Sequence, residues 1–175
     1  MMRNAFKVTF TFLIALSTLS ACKKKKDNPM DFTIDAQNLT TCTEGNCLYE
    51  YVNYAAMADQ QAALTTGQYR IFLATKGNNF STTRVYIQAP MQGDKFLLTD
   101  NDILPGKVKY LFSCASCDYI NLTPIAGTVK GIKLANINTS AEKWLLDAHI
   151  VLAAEKSKKP VDTLHIKQYF NLAVK

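Results

Sequence analysis

"WLLDAHIVL", Trp144 to Leu152, and "LHIKQYFNL", Leu164 to Leu172, decide the fold between them. In the first, Trp144, Leu146, Ala148, Ile150 and Leu152 put an apolar side chain at every second position. The second does nearly the same with Leu164, Ile166, Phe170 and Leu172, with Gln168 as the exception. Successive strand side chains point to opposite faces, so this period builds strands with one buried face. A helix over 140–155 competes, because Thr139 and Glu142 have capping-box spacing and the trailing lysines suit a helix end. A hairpin centred on Ser157 places Trp144 opposite Phe170, Asp147 opposite Lys167, and His149 opposite His165. Aromatic and opposite-charge pairs stabilise sheets, and a single register supplies several of them. Strands are therefore preferred.

Upstream, "LYEYVNY" from Leu48, "QYRIFLA", "TRVYIQA" and "KVKYLF" alternate in the same way. The first face of "QYRIFLA" carries Tyr69, Ile71 and Leu73, and Val85 and Ile87 share a face of the next segment. Val108, Tyr110 and Phe112 do so in the last. "KGNN", "MQGD" and "LPGK" supply turns between them. Short strands at this spacing predict a mainly β fold, an antiparallel sandwich or barrel-like domain. Helix formers and a closing glycine in "AMADQQAALTTG", between Ala55 and Gly67, allow one short helix.

The beginning of the chain has a different character. Arg3 and Lys7 precede a dozen-residue apolar run, Val8 to Leu19, which is too short for the roughly 20 residues that span a bilayer. A charged start, a short apolar middle and small residues before a cysteine read as a secretory signal. Leu19-Ser20-Ala21-Cys22 resembles the lipobox of bacterial lipoproteins. The resemblance implies cleavage after residue 21 and acylation of Cys22, with diacylglyceryl and palmitate-type chains. Each buried methylene contributes ~0.8 kcal/mol, so several chains on Cys22 hold a protein on a bilayer. Lys23 to Lys26 then lie at the headgroups, where each adds about 1 kcal/mol toward an anionic surface. Lys23 stands where inner-membrane lipoproteins tend to carry aspartate, so the resemblance implies the outer membrane. The charged run from Lys23 to Asp27 is similar to surface-export signals. Residues 1–21 are thus a signal peptide, 22–38 a lipidated tether, and 39–175 a single β-rich domain.

The formal charge of +6 sits at the start of the chain. Arg3, Lys7 and Lys23 to Lys26 are six of the 20 basic residues, which leaves 14 against 14 acidic ones over residues 27–175. A nucleic-acid binder carries its excess charge in the folded part, so nucleic acid is excluded as a partner.

Cys42 and Cys47 ("CTEGNC") and Cys114 and Cys117 ("CASC") form two clusters. In an exported chain four cysteines read first as two disulfides. Links between the clusters are favoured here, since long loops remove more unfolded-state freedom, up to ~4 kcal/mol. The spacings also allow a four-cysteine structural zinc, and Cys114/Cys117 allow a thiol oxidoreductase if a helix start lowers one thiol's pKa.

His149 and His165 are the only histidines, and the hairpin sets them side by side as candidate metal or haem-iron ligands. In this they resemble paired histidines of haem-capturing lipoproteins with mainly β folds. Asp100 and Asp102 in "TDNDILPG" lack the ligand spacing of a calcium loop, where Leu104 intervenes, and read as a turn. Asp162-Thr163-Leu164 resembles a short O-glycosylation motif, with Thr163 as acceptor. There is no nucleophile elbow, zinc-protease or phosphate-loop motif. "GTVKGIKL", "KWLLDAHIVL" and "DTLHIKQYF" together resemble the C-terminal part of uncharacterised lipoproteins, a family without an assigned activity. The expectation is a non-enzymatic, cofactor-free envelope lipoprotein that binds an envelope protein or a small ligand. Metal or haem capture is the alternative.

Overall fold

The computed structural model describes residues 30–43, 45–58, 63–117, 121–134, 142–155 and 157–174. Residues 1–29, with the expected signal peptide, Cys22 and the run Lys23 to Lys26, lie outside them. Among the described residues there are nine strands: β1 Asn46–Met57, β2 Leu64–Thr66, β3 Tyr69–Gly77, β4 Ser81–Pro90 and β5 Lys95–Leu98. They continue with β6 Val108–Cys114, β7 Leu122–Leu134, β8 Lys143–Ala154 and β9 Pro160–Leu172. Along the sheet they run β5-β7-β8-β9-β1-β3-β4-β6, with β2 paired beside β1. Neighbours are antiparallel except β1 and β9, which run parallel through Glu50–Asn171 and Tyr51–Leu172. The sheet is not closed. Its two halves face each other, so that β1, β3, β4 and β6 share one core with β5, β7, β8 and β9.

The C-terminal hairpin takes the register that the alternation predicts. Trp144 pairs with Phe170, Asp147 with Lys167, and His149 with His165. Residues 143–154 are strand, and the competing helix is not formed. Trp144 and Phe170 both set their rings against Phe72, at 5.6 and 5.5 Å between centroids. Tyr51 and Phe96 complete this cluster around the same ring. Gly131, opposite Phe96, makes room for it, because a Cβ there would collide with the Phe96 ring.

One expectation about β1 is corrected. The described flanks of the predicted 55–67 helix are strand, in β1 and β2, and 59–62 lie outside the described residues. Ala55 is buried there with Ile71 and Tyr86 in a second, smaller cluster, so tertiary packing overrides its helix propensity. In β3 the main core takes the other face, with Arg70, Phe72 and Ala74 inward, while Ile71 and Leu73 pack in that outer cluster.

Arg70 is 4 % exposed and held on several sides. Its guanidinium lies 4.3 Å from the Trp144 ring centroid and pairs with Glu142 at 3.1 Å, while Nε donates to Asn53 at 2.9 Å. Trp144 Nε1 donates to Glu142 Oε1 at 2.7 Å, and the Tyr51 hydroxyl to the Glu142 carbonyl at 2.9 Å. Burial pushes the Tyr51 hydroxyl up to about 12, with the Glu142 charge adding to it. Burial alone would raise Glu142, but Trp144, Arg70 and Lys133 outweigh it and leave the carboxyl lowered. These residues seal one end of the core.

The cysteines pair within their clusters, Cys42 with Cys47 and Cys114 with Cys117, contrary to the favoured cross-links. Strand order is the reason. Cys47 is on β1 and Cys114 on β6, with β3 and β4 between them. Three inter-strand spacings of about 4.8 Å separate the clusters by about 14 Å, twice the reach of a disulfide. The same separation precludes a single four-cysteine zinc site.

Candidate functional site

The outer face of β8 and β9 carries the histidines. Period two puts Asp147 and His149 on one face of β8, and the register sets His165 of β9 directly across from His149. The imidazoles stack at 4.0 Å between centroids, 23° from parallel. Asp147 Oδ1 lies 3.0 Å from His165 Nε2 and 3.6 Å from His149 Nε2. One ligand atom from each of the three residues thus falls within 4.8 Å of the others. Two ligands held at ~2.0–2.1 Å by a tetrahedral ion are about 3.4 Å apart, so the group suits one ion after small side-chain adjustments. Both rings are about half exposed, at 59 % and 47 %, which keeps the site open to solvent.

Neighbouring charges are drawn away from Asp147. Lys130 and Lys167 stand across from it on β7 and β9. Lys167 Nζ donates instead to Asp35 Oδ1 at 2.7 Å, and Lys130 Nζ sits 5.8 Å from the Phe32 ring centroid. The Lys167 hydrogen bond and that from the Gln37 amide hold the Asp35 carboxyl below its ordinary value. Residues 30–38, assigned by sequence to the tether, therefore include two side chains that lie on the sheet. Thr40 continues the contact: its amide donates to the Lys167 carbonyl, its Oγ1 accepts from the Lys167 amide, and its carbonyl accepts from Gln168 Nε2. None of this was legible in the sequence, because Asp35 and Lys167 are 132 positions apart. The sequence pairs Asp147 with Lys167, although its place two residues before His149 puts it on the histidine's face as a third ligand.

The remaining candidates are structural in their contacts. Asp100 and Asp102 lie in a three-residue helical turn, α1 Asp100–Asp102, which leads into a wider turn over Ile103–Lys107. Asp102 takes Lys107 Nζ at 2.6 Å and the Thr99 amide at 3.0 Å, while Asp100 takes the Gly127 amide at 2.6 Å. Gly127 has φ 137° at the bulge of β7, where a Cβ would strike the His149 carbonyl. Thr163 is exposed on β9, next to Asp162, whose Oδ1 accepts its amide at 2.7 Å. Cys114 ends a strand, whereas an activated thiol of a Cys-x-x-Cys site sits at a helix start. Comparison with known proteins finds no matching family model, no similar curated protein and no similar solved structure.

Proposed function

We propose that this chain is a non-enzymatic lipoprotein, anchored in the outer membrane through acylated Cys22, that captures a divalent transition-metal ion at Asp147, His149 and His165. The observation that carries the metal assignment is the convergence of two imidazole nitrogens and one carboxylate oxygen within 4.8 Å. Imidazole with carboxylate suits zinc, copper and nickel better than magnesium or calcium. Three protein ligands leave a coordination position for water or for a partner's side chain, as in sites that exchange or hand over their metal. The acyl chains and the bilayer make the anchoring partner, and surface display places the ligands where envelope metal is found.

A haem fits the pair less well than an ion. Two axial histidines bind on opposite sides of the macrocycle, and rings stacked at 4.0 Å leave no space for one between them.

Equilibrium dialysis of the full chain carrying Cys22→Ser against zinc chloride should give one bound ion per chain. His149→Ala or Asp147→Ala should weaken that binding at least tenfold, with the melting temperature little changed. Stoichiometric binding that survives both substitutions, or none in the parent, would refute the site. Anchoring is tested separately: Cys22→Ser should abolish metabolic labelling with palmitate.

A further inference from the structure

The core is well filled at the Arg70 end and open at the other. Tyr49, Ala74, Val85 and Tyr110 form one cross-strand row of β1, β3, β4 and β6. With Leu152, Leu164 and Ile166 from the facing half they line a slot of about 300 Å³. Its floor belongs to the main core, where Val85, Leu152 and Ile166 are buried. Tyr49, Tyr110 and Leu164 are only half-buried against it. At ~30 Å³ for each water-sized volume, the slot holds about ten non-hydrogen atoms, near the lower limit of small-molecule pockets.

The floor is apolar and the mouth is polar, with Thr40, Thr41, Thr75, Thr83, Lys76, Asp162 and His165 around it. Neither the Tyr49 nor the Tyr110 hydroxyl makes a hydrogen bond among the described residues, and burial raises the Tyr49 pKa. Lys76 lines the mouth, and among the described residues its ammonium has neither an ion-pair nor a hydrogen-bond partner. Asp162, at the opposite side of the mouth, already accepts the Thr163 amide. An apolar floor below a polar mouth that carries a lysine without an ion-pair partner among the described residues suits a particular ligand class. We infer that the slot binds a single-chain carboxylate amphiphile, its chain among Tyr49, Val85, Leu152 and Ile166 and its carboxylate at Lys76. The metal assignment is not needed for this.

The test is calorimetric titration of the full chain carrying Cys22→Ser, in chelator, with decanoate, decanol and acetate. Decanoate should saturate one site, decanol should bind about tenfold more weakly, and acetate should not bind. Lys76→Gln should bring decanoate down to the level of decanol. Ala74→Val and Ala74→Leu, which fill the slot stepwise, should lower decanoate affinity in that order, the second by at least tenfold. No saturable binding of decanoate by the parent overturns the proposal, as does affinity indifferent to the Ala74 series. Equal loss of decanol and decanoate in Lys76→Gln overturns the carboxylate assignment.

Discussion

The two ends of this core use the same strands and are packed differently. At one end Phe72 meets Tyr51, Phe96, Trp144 and Phe170, and Arg70 covers Trp144 while anchored to Glu142. Two residues along the same strands, Ala74 follows Phe72 and Val85 precedes Ile87, and the interior opens. Side-chain volume is thus distributed unevenly along one continuous sheet. A strand pair fixes where side chains stand, but only their sizes fix whether the space between two sheet halves is filled.

This contrast is sharpest for truncations. Phe72→Ala should cost about 3–5 kcal/mol in urea unfolding, as for a fully enclosed aromatic. Leu164→Ala, beside the slot, should cost about 1–2 kcal/mol, since a half-buried side chain loses less transfer energy. Equal costs would mean that the two ends are packed alike. Enlargement should reverse the order of tolerance. Ala148→Leu, at a fully buried position, should destabilise by about 1–3 kcal/mol, while Ala74→Leu should be neutral or stabilising. A large penalty at Ala74 would show that the slot is not free space.

The smallest expected effect is electrostatic and belongs to the sealed end. The Glu142 carboxyl is lowered from 4.5 in the fold, so the folded state favours its ionised form. Its contribution is complete above pH 4.5 and is lost as pH falls through the lowered folded value. Glu142→Gln should therefore reduce stability at neutral pH and flatten the acid limb of the stability profile. An unchanged acid limb would remove Glu142 from the seal. Tyr51 acts at the other extreme, where stability should decline as pH rises from 10 toward about 12.

Legibility from sequence follows the range of the interaction. The hairpin register could be read because alternation and complementary pairs are local, and a one-residue slip would turn every apolar side chain outward. The choice of inner face in β3 could not. Tyr69, Ile71 and Leu73 are more apolar as a set than Arg70, Phe72 and Ala74, yet of the three only Ile71 is fully buried, in the smaller outer cluster. Disulfide pairing failed for another reason: loop entropy favours distant partners, but strand order had already placed them beyond reach. The two histidines were legible as neighbours. Their third partner was hidden by an apparent Asp147–Lys167 pair, and only the distant Asp35 removes the lysine from it.

The parallel contact between β1 and β9 bears on how quickly this fold can be reached. Glu50 and Tyr51 meet Asn171 and Leu172, so the first long strand is completed by the last. The entropic cost of closing so long a loop rises only slowly with length, each doubling adding about 0.6 kcal/mol. Its effect on rate is greater, because a nucleus that needs distant segments must wait for them to meet. Hairpins such as β8–β9 can form in roughly 1–10 μs, whereas all-β domains rich in non-local pairs fold in about milliseconds to seconds. During that interval β1 and β9 each expose an unpaired edge, the condition under which strands of neighbouring chains join.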